Sequence, residues 1–404
     1  MKLTMPAVAC LLLLMVSPLV ACLWDFDTIK METQRFPGTL ELIAGKFLRH
    51  SKPFYAWRIE DRQKRIAEAA ENDESVATLY DDLAVAQEKT GQTEAAIETM
   101  LKKDELWPGQ YTTQANLGTF YIHSGQLEKG IEHIEKAIAI NPDAHFGREV
   151  YQKLLVKYVL SKRVNGETIL PLNAKSYSDR SGGFAGFLLE SQGIPRYSEA
   201  RSEIQQAITG IQGMMHFGNY QSPILLEALA DLLTDGEREQ DALLLACRAY
   251  LAASYAVEDS ETADAYREKA HDCLSMQLRT DSGSEEITLS SVEADFRSEL
   301  SDAETWYDTL CQNEKSWIEA DLNPEKQFEK SYRDASLPRV SIQQLTRENP
   351  ATERDRSIAR GILVFLIVSI TVVGIAVLGL VRLFRAKGKT LGQSEDSSKE
   401  TVRP

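Results

Sequence analysis

Six histidines, five cysteines and sixty acidic residues are the groups in this 404-residue chain that could do chemistry. Two histidines three or four positions apart on a helix would share a face and could hold zinc. His50, His123, His133, His145, His216 and His271 supply no such pair. No two cysteines flank two residues ahead of a histidine, and no Gly-x-Ser-x-Gly elbow occurs, so haem attachment and a serine nucleophile have no support. His271, Asp272 and Cys273 are adjacent, but neighbours on a helix point in divergent directions. Carboxylates are abundant, yet a pair works as acid and base only when its surroundings separate the two pKa values; solvated helix faces account for them otherwise. These patterns supply no catalytic residue, no metal site and no cofactor site, and the expected protein is not an enzyme. A divergent hydrolase site within 184–332 would need a turnover that one carboxylate substitution abolishes.

The cysteines lead to the ends of the chain. Cys10 lies in an opening segment, Lys2 followed by Val8, Leu11 to Val16 and then small residues, which has the layout of a secretory signal over 1–21. Leu19, Val20, Ala21 and Cys22 resemble a bacterial lipobox, and that resemblance implies lipid on Cys22; the other reading is an ordinary cut near Ala21. Cys247, Cys273 and Cys311 remain, and either Cys247 bridges Cys273 or all three stay buried thiols. Gly361 to Val381 is about 21 residues without a charge, enough to cross the hydrocarbon of a bilayer. Arg382, Arg385, Lys387 and Lys389 follow it, so the positive-inside rule places the tail 385–404 in the cytoplasm. The expected location is the inner membrane, single-pass over 361–384, with the main domain periplasmic. A net charge of −15 argues against nucleic acid, whose binding needs clustered cations.

Helical spacing dominates the rest. Leu40, Ile43 and Phe47 predict a helix over 39–49, within an N-terminal helical segment 22–72. His50, Phe54, Tyr55, Trp57, Arg58, Glu60, Asp61 and Arg62 then crowd together, either as a docking patch or as aromatics packed on the next element with local charge pairs. A helix over 145–160 caps what precedes it, and the Gly-, Ser- and Asn-rich stretch 162–183 marks a boundary. A second helical region, 184–335, has a hairpin near 223–256, a helix over 261–276 and an apolar stripe from Leu289 to Leu310. Residues 336–360 read as a polar tether.

Over 73–161 the sequence repeats. A shift of about 34 residues puts Leu83 on Leu117, Ala84 on Gly118, Gly91 on Gly125, Ala96 on Gly130, Ile97 on Ile131 and Pro108 on Pro142. Small residues belong where two helices of a unit cross, and prolines where a helix stops. With Asn116, Tyr121 and Ala137 in the better second copy, this resembles the tetratricopeptide repeat family; the first copy departs from it with Gln87 for Tyr and Lys103 for Ala. The hairpin near 223–256, with Leu229, Ala230, Ala242 and Ala246, resembles the repeat more weakly, and generic hairpin packing gives the same spacing.

That family lines a concave groove with the first helix of each unit and receives a partner peptide there. The resemblance implies a groove of Thr78, Asp81, Val85, Glu88, Lys89, Thr112, Ala115, Thr119, Ile122 and His123. Asp81 and Val85 depart from the members that clamp a C-terminal carboxylate, and a groove filled by this chain's own later helices is the competing reading. The expected fold is all-α: a tetratricopeptide-like solenoid of helical hairpins, a further helical region and one C-terminal transmembrane helix. The expected function is a membrane-anchored scaffold or adaptor for other proteins or peptides on the extracytoplasmic side of a bacterial inner membrane. The alternative is an accessory subunit of an envelope enzyme or transport complex whose transmembrane helix packs on a partner; that helix has Ser369, Thr371, Gly374, Ala376 and Gly379 but no Gly-x-x-x-Gly, so the sequence supports it only slightly.

Overall fold

The computed structural model describes residues 37–69, 74–142, 147–173, 183–195, 198–235, 240–277 and 287–332. All belong to the first of two units, Met1–Val340, the second being Ser341–Pro404. Cys22, the signal, the tether and Gly361 to Val381 lie outside the described residues. Among those described, no helix is long and apolar enough to cross a membrane.

The described chain is helical, with no strand and one isolated bridge between Val164 and Glu167. Its helices are α1 (Thr39–Ala44), α2 (Lys52–Glu68), α3 (Ala77–Lys89), α4 (Thr93–Leu106), α5 (Tyr111–His123), α6 (Leu127–Ile140) and α7 (Arg148–Lys162). They continue with α8 (Phe184–Gln192), α9 (Ser198–Met214), α10 (Pro223–Asp235), α11 (Gln240–Tyr255), α12 (Ser260–Gln277), α13 (Leu289–Glu319) and α14 (Pro324–Tyr332). A π-helical turn, Met215–Asn219, joins α9 towards α10.

Consecutive helices from α2 to α7 pack on one another, as do those from α9 to α12, and α9 lies on α7. Small residues set the spacing. Ala84 and Ala96 are fully buried where α3 crosses α4. A Cβ on Gly118 would stand 2.5 Å from Ile134, and one on Gly130 would stand 2.5 Å from Ile122 and 3.0 Å from the Gly118 carbonyl. Helices α5 and α6 can therefore meet only with glycine at both crossing points.

The predicted helix over 39–49 is shorter than its apolar spacing suggests. α1 stops at Ala44 because Gly45 takes φ 77°, and its amide closes the helix onto Glu41 and Leu42 carbonyls. The chain then runs on without helical structure to Ser51, yet Leu42, Ile43, Phe47 and Leu48 are buried. What buries them lies late in the sequence. α1 packs on α11 and α13, and α13 returns to α2. Leu48, Leu310 and Phe328 form one cluster, ringed by Trp306, Tyr307, Trp317 and Tyr332. α13 also runs beyond the predicted stripe, to Glu319, since nothing breaks it before Asp321 at φ 55°.

Candidate functional site

Helices α3 and α5, the first helix of each hairpin, carry the ten expected groove residues, and the structure distributes them unevenly. Thr78 and His123 are exposed; Glu88, Lys89, Thr112 and Ile122 are half-buried; Asp81, Val85, Ala115 and Thr119 are buried. Asp81 turns into the junction of α3, α4 and α5. There both its carboxylate oxygens accept from Lys103 Nζ, at 2.7 and 2.6 Å, and Thr112 Oγ1 accepts from the same ammonium at 2.8 Å. Asn116 Nδ2 adds a long contact of 3.4 Å. Burial pushes the Asp81 carboxyl up to about 7, against the pull of Lys103. The two departures of the first repeat are thus compensated inside it: Lys103 finds Asp81, and Gln87 accepts from Thr99 Oγ1 at 2.8 Å.

Val85 belongs to the apolar core of the repeats, with Ala84, Met100 and Phe120. Thr119 Oγ1 donates to the Ala115 carbonyl at 3.1 Å and accepts from Gln152 of α7 at 3.1 Å. Ile122 lies against Gly130 of α6. These side chains serve the joints between helices. Between α3 and α5, Glu88 Oε1 meets His123 Nδ1 at 2.7 Å. Burial, the largest single influence, works to raise the Glu88 carboxyl, but the bond to and charge of His123, with Thr93 and Lys89, together leave the group below its usual range.

Lys89 identifies what sits on the face. Its ammonium donates to the carbonyls of Phe217 and Gly218, both at 2.7 Å, so the π-helical turn between α9 and α10 lies on the end of α3. The guanidinium of Arg148 lies 5.1 Å from the Phe217 ring centroid. Gly210 and Gly213 bring α9 close to Tyr151 and Arg148 of α7. On its far side the turn meets the N-terminal segment: His216 is edge-on to Phe47 at 5.2 Å, and Tyr220 edge-on to the same ring at 5.3 Å. Later residues of this chain therefore pack against Lys89 at the end of α3.

The aromatic and charged patch of α2 is built into long-range contacts as well. His50 stacks on Phe54 at 3.6 Å and tilts onto Phe328 at 4.2 Å. The buried Glu314 carboxylate accepts from His50 Nδ1 and from the Ser51 amide at 2.8 Å. Arg58 reaches Glu325 at 2.9 Å, and Arg62 bonds Asp82 at 2.8 Å as well as Glu325 and Asp61. Arg49 lies 3.5 Å from the Tyr307 centroid. Most of these partners belong to α13 and α14, more than 250 residues away in sequence for the His50 to Glu314 pair, which spans 264.

A third cluster escaped the sequence reading. On α10, Glu227 and Asp231 interrupt an apolar helix one turn apart, which is the signal that could have found them. Glu227 accepts from the Leu172 and Asn173 amides at 2.9 and 3.0 Å and from Tyr266 OH at 2.9 Å. Asp231 accepts from the Phe184 amide at 2.9 Å and Tyr250 OH at 2.6 Å. Lys269 lies 3.4 Å from Glu227 and 3.6 Å from Asp231 and donates to the Asn173 carbonyl at 3.0 Å. Burial raises the Glu227 carboxyl and the Tyr250 phenol, and likewise both thiols, Cys247 to about 12 and Cys273 well above its usual value. Cys247, Cys273 and Cys311 are all free, and the bridge from Cys247 to Cys273 is not formed. The carboxylates are committed to holding the chain where it leaves Asn173 and re-enters at Phe184, and the thiols are held protonated, so the cluster is arranged as a clasp. Among the described residues no group of three or more His, Cys, Asp or Glu is placed to hold a metal ion.

Residues 111–144 match the family model described as Tetratricopeptide repeat, which covers α5 and α6. No curated protein and no solved structure matches the chain. The match supports a tetratricopeptide assignment for this stretch, and such a repeat suggests a protein-interaction scaffold.

Proposed function

We propose that the chain is a non-catalytic scaffold that binds other proteins through its helical repeats, tethered to a bacterial inner membrane with residues 37–332 on the extracytoplasmic side. The observation that carries the binding role is the stacked pair of hairpins, α3–α4 and α5–α6, the second of which matches the tetratricopeptide repeat. The membrane part rests on the sequence: the uncharged stretch Gly361 to Val381, the cations after it, and the lipobox-like residues before Cys22. Two surfaces are open to a partner. One is the rim of the inner face, where Thr78 and His123 are exposed. The other is the outer surface of α4 and α6, where Leu101, Leu106 and Ile140 are 40%, 37% and 46% exposed.

Affinity capture with the full chain from native membranes tests the reading, run beside two variants. Thr78→Arg with His123→Gln, whose amide still donates to Glu88, alters the rim, and Leu106→Glu with Ile140→Glu alters the outer surface. All four positions are exposed, so both variants retain the fold. Loss of a partner from one variant assigns its surface. Identical partners at identical yield from both variants defeat the repeat-mediated binding proposed here. Protease added outside the inner membrane should digest the region 37–332 and spare the tail after Arg385; the reverse defeats the topology.

A further inference from the structure

We propose that the turn Met215–Tyr220 is an internal occupant of the repeat face, standing where a partner's peptide would lie, and that its departure loosens the N-terminal segment packed behind it. This rests on the scaffold reading, because it names what regulates access to the repeats.

Three observations converge on it. First, the turn is held as a bound peptide is held, through its backbone: Lys89 of α3 takes two successive carbonyls, Phe217 and Gly218. Arg148 of α7 lies against the Phe217 ring, so the contacts span two helices of the stack. Second, the turn is a break and not a continuous helix. Its residues form a π-helical turn in which Gly218 has φ −97° and ψ −110°, outside helical values. Such turns are frequent at functional sites, and the helix is already interrupted at Gly218. Third, the turn touches the N-terminal segment on its other side. The Tyr220 ring lies so close to Gly45 that a Cβ there would stand 2.6 Å from it, and Arg49 donates to Tyr220 OH at 3.4 Å. Arg49 in turn covers Tyr307 of α13. A partner that offers Lys89 a carbonyl or carboxylate and Arg148 an aromatic ring would therefore compete with the turn and, in displacing it, uncover Phe47.

The test uses the full chain and a fluorescent synthetic peptide of residues 212–222. Phe217→Ala weakens the seated turn without touching the repeats. If the turn is an occupant, this variant binds the peptide about tenfold more tightly than the wild type, since the open state is more populated. Adding Lys89→Met should abolish that binding, and Lys89→Arg, which still donates to carbonyls, should restore it. Hydrogen exchange in the Phe217→Ala variant should quicken at 45–50 as well as at 213–222, while α12 is unchanged. Equal peptide binding by wild type and Phe217→Ala overturns the proposal, as does binding indifferent to Lys89, or quickened exchange confined to the turn. Partner capture separates the two readings. Equal yields from wild type and Phe217→Ala remove the latch and leave the scaffold. A Lys89-dependent peptide response with no captured partner removes the scaffold and leaves the latch.

Discussion

At the scale of single residues, charge placed inside the stack is tolerated only where it is answered. Lys103 stands where the second copy has Ala137, and its ammonium is buried completely on Asp81. Removing Lys103 takes away the cation that keeps the buried Asp81 carboxyl, already raised to about 7, ionised; the carboxyl then takes up a proton and is left short of partners, at a cost of about 1–3 kcal/mol. Lys103→Met should therefore lower the urea midpoint strongly, while Asp81→Leu with Lys103→Ala, which removes both charges, should recover most of the loss. Equal damage from the single and the double change would show that the pair contributes through packing alone. His216 gives the complementary case of a group kept neutral. Burial pushes its imidazole down to about 3, helped by Arg148 and Lys89. In the unfolded chain it takes up a proton near 6.5, so between the two values the unfolded state holds more protons than the native one. Stability from this residue is complete above pH 6.5 and falls as the pH drops towards 3, by about 1.4 kcal/mol per pH unit. His216→Gln should flatten that part of the acid limb, which urea titrations at pH 7, 6 and 5 would read as a shrinking difference between variant and wild type.

At the scale of elements, the stack depends on backbones that can approach. Gly130 faces both Ile122 and the Gly118 carbonyl, so Gly130→Val should separate α5 from α6 and cost at least 1–3 kcal/mol, the usual range of roughly one overpacked core position. Ala139→Val, on the exposed side of the same helix, should shift the thermal midpoint little. If both variants melt alike, the crossing is looser than described. These contacts were legible in the sequence, since Gly118 and Gly130 recur against Ala84 and Ala96 one repeat earlier and short-range periodicity records which positions face a neighbour. The helix spacing of α12 was legible for the same reason. The fate of the inner face was not. Position within a repeat assigned Asp81 and Thr119 to a groove, but whether they meet solvent depends on Lys103, 22 residues on, and on Gln152, 33 residues on. The turn that seats on Lys89 lies 128 residues from it, and no local pattern announces it. Equally, α1 carries a helical stripe through Phe47, yet Gly45 ends the helix and the stripe is buried by elements not written nearby.

At the scale of the molecule, a solenoid would have contacts only between neighbouring repeats, its stability a sum of local terms. This chain departs from that arrangement, because the segment from Lys46 to Arg62 is bound to α13 and α14 near the other end of the described region. Lys46 pairs with Asp302, His50 and Ser51 with Glu314, Arg58 and Arg62 with Glu325. Such closure makes the stability of the first helices depend on the last. It also requires a loop of some 264 residues to close, an entropic step that slows folding relative to the local hairpins. Glu325→Ala tests the closure, since it strips a shared carboxylate from two arginines whose side chains are almost wholly buried. If the ends form one cooperative unit, hydrogen exchange should accelerate together at 37–50 and 302–332, with α5 and α6 protected longest, and the loss should be about 3–5 kcal/mol. A local solenoid would confine the change to α14 and the neighbouring turn of α2. Exchange that stays slow at Leu42 and Ile43 while α14 opens would therefore show that the two ends are adjacent without being coupled.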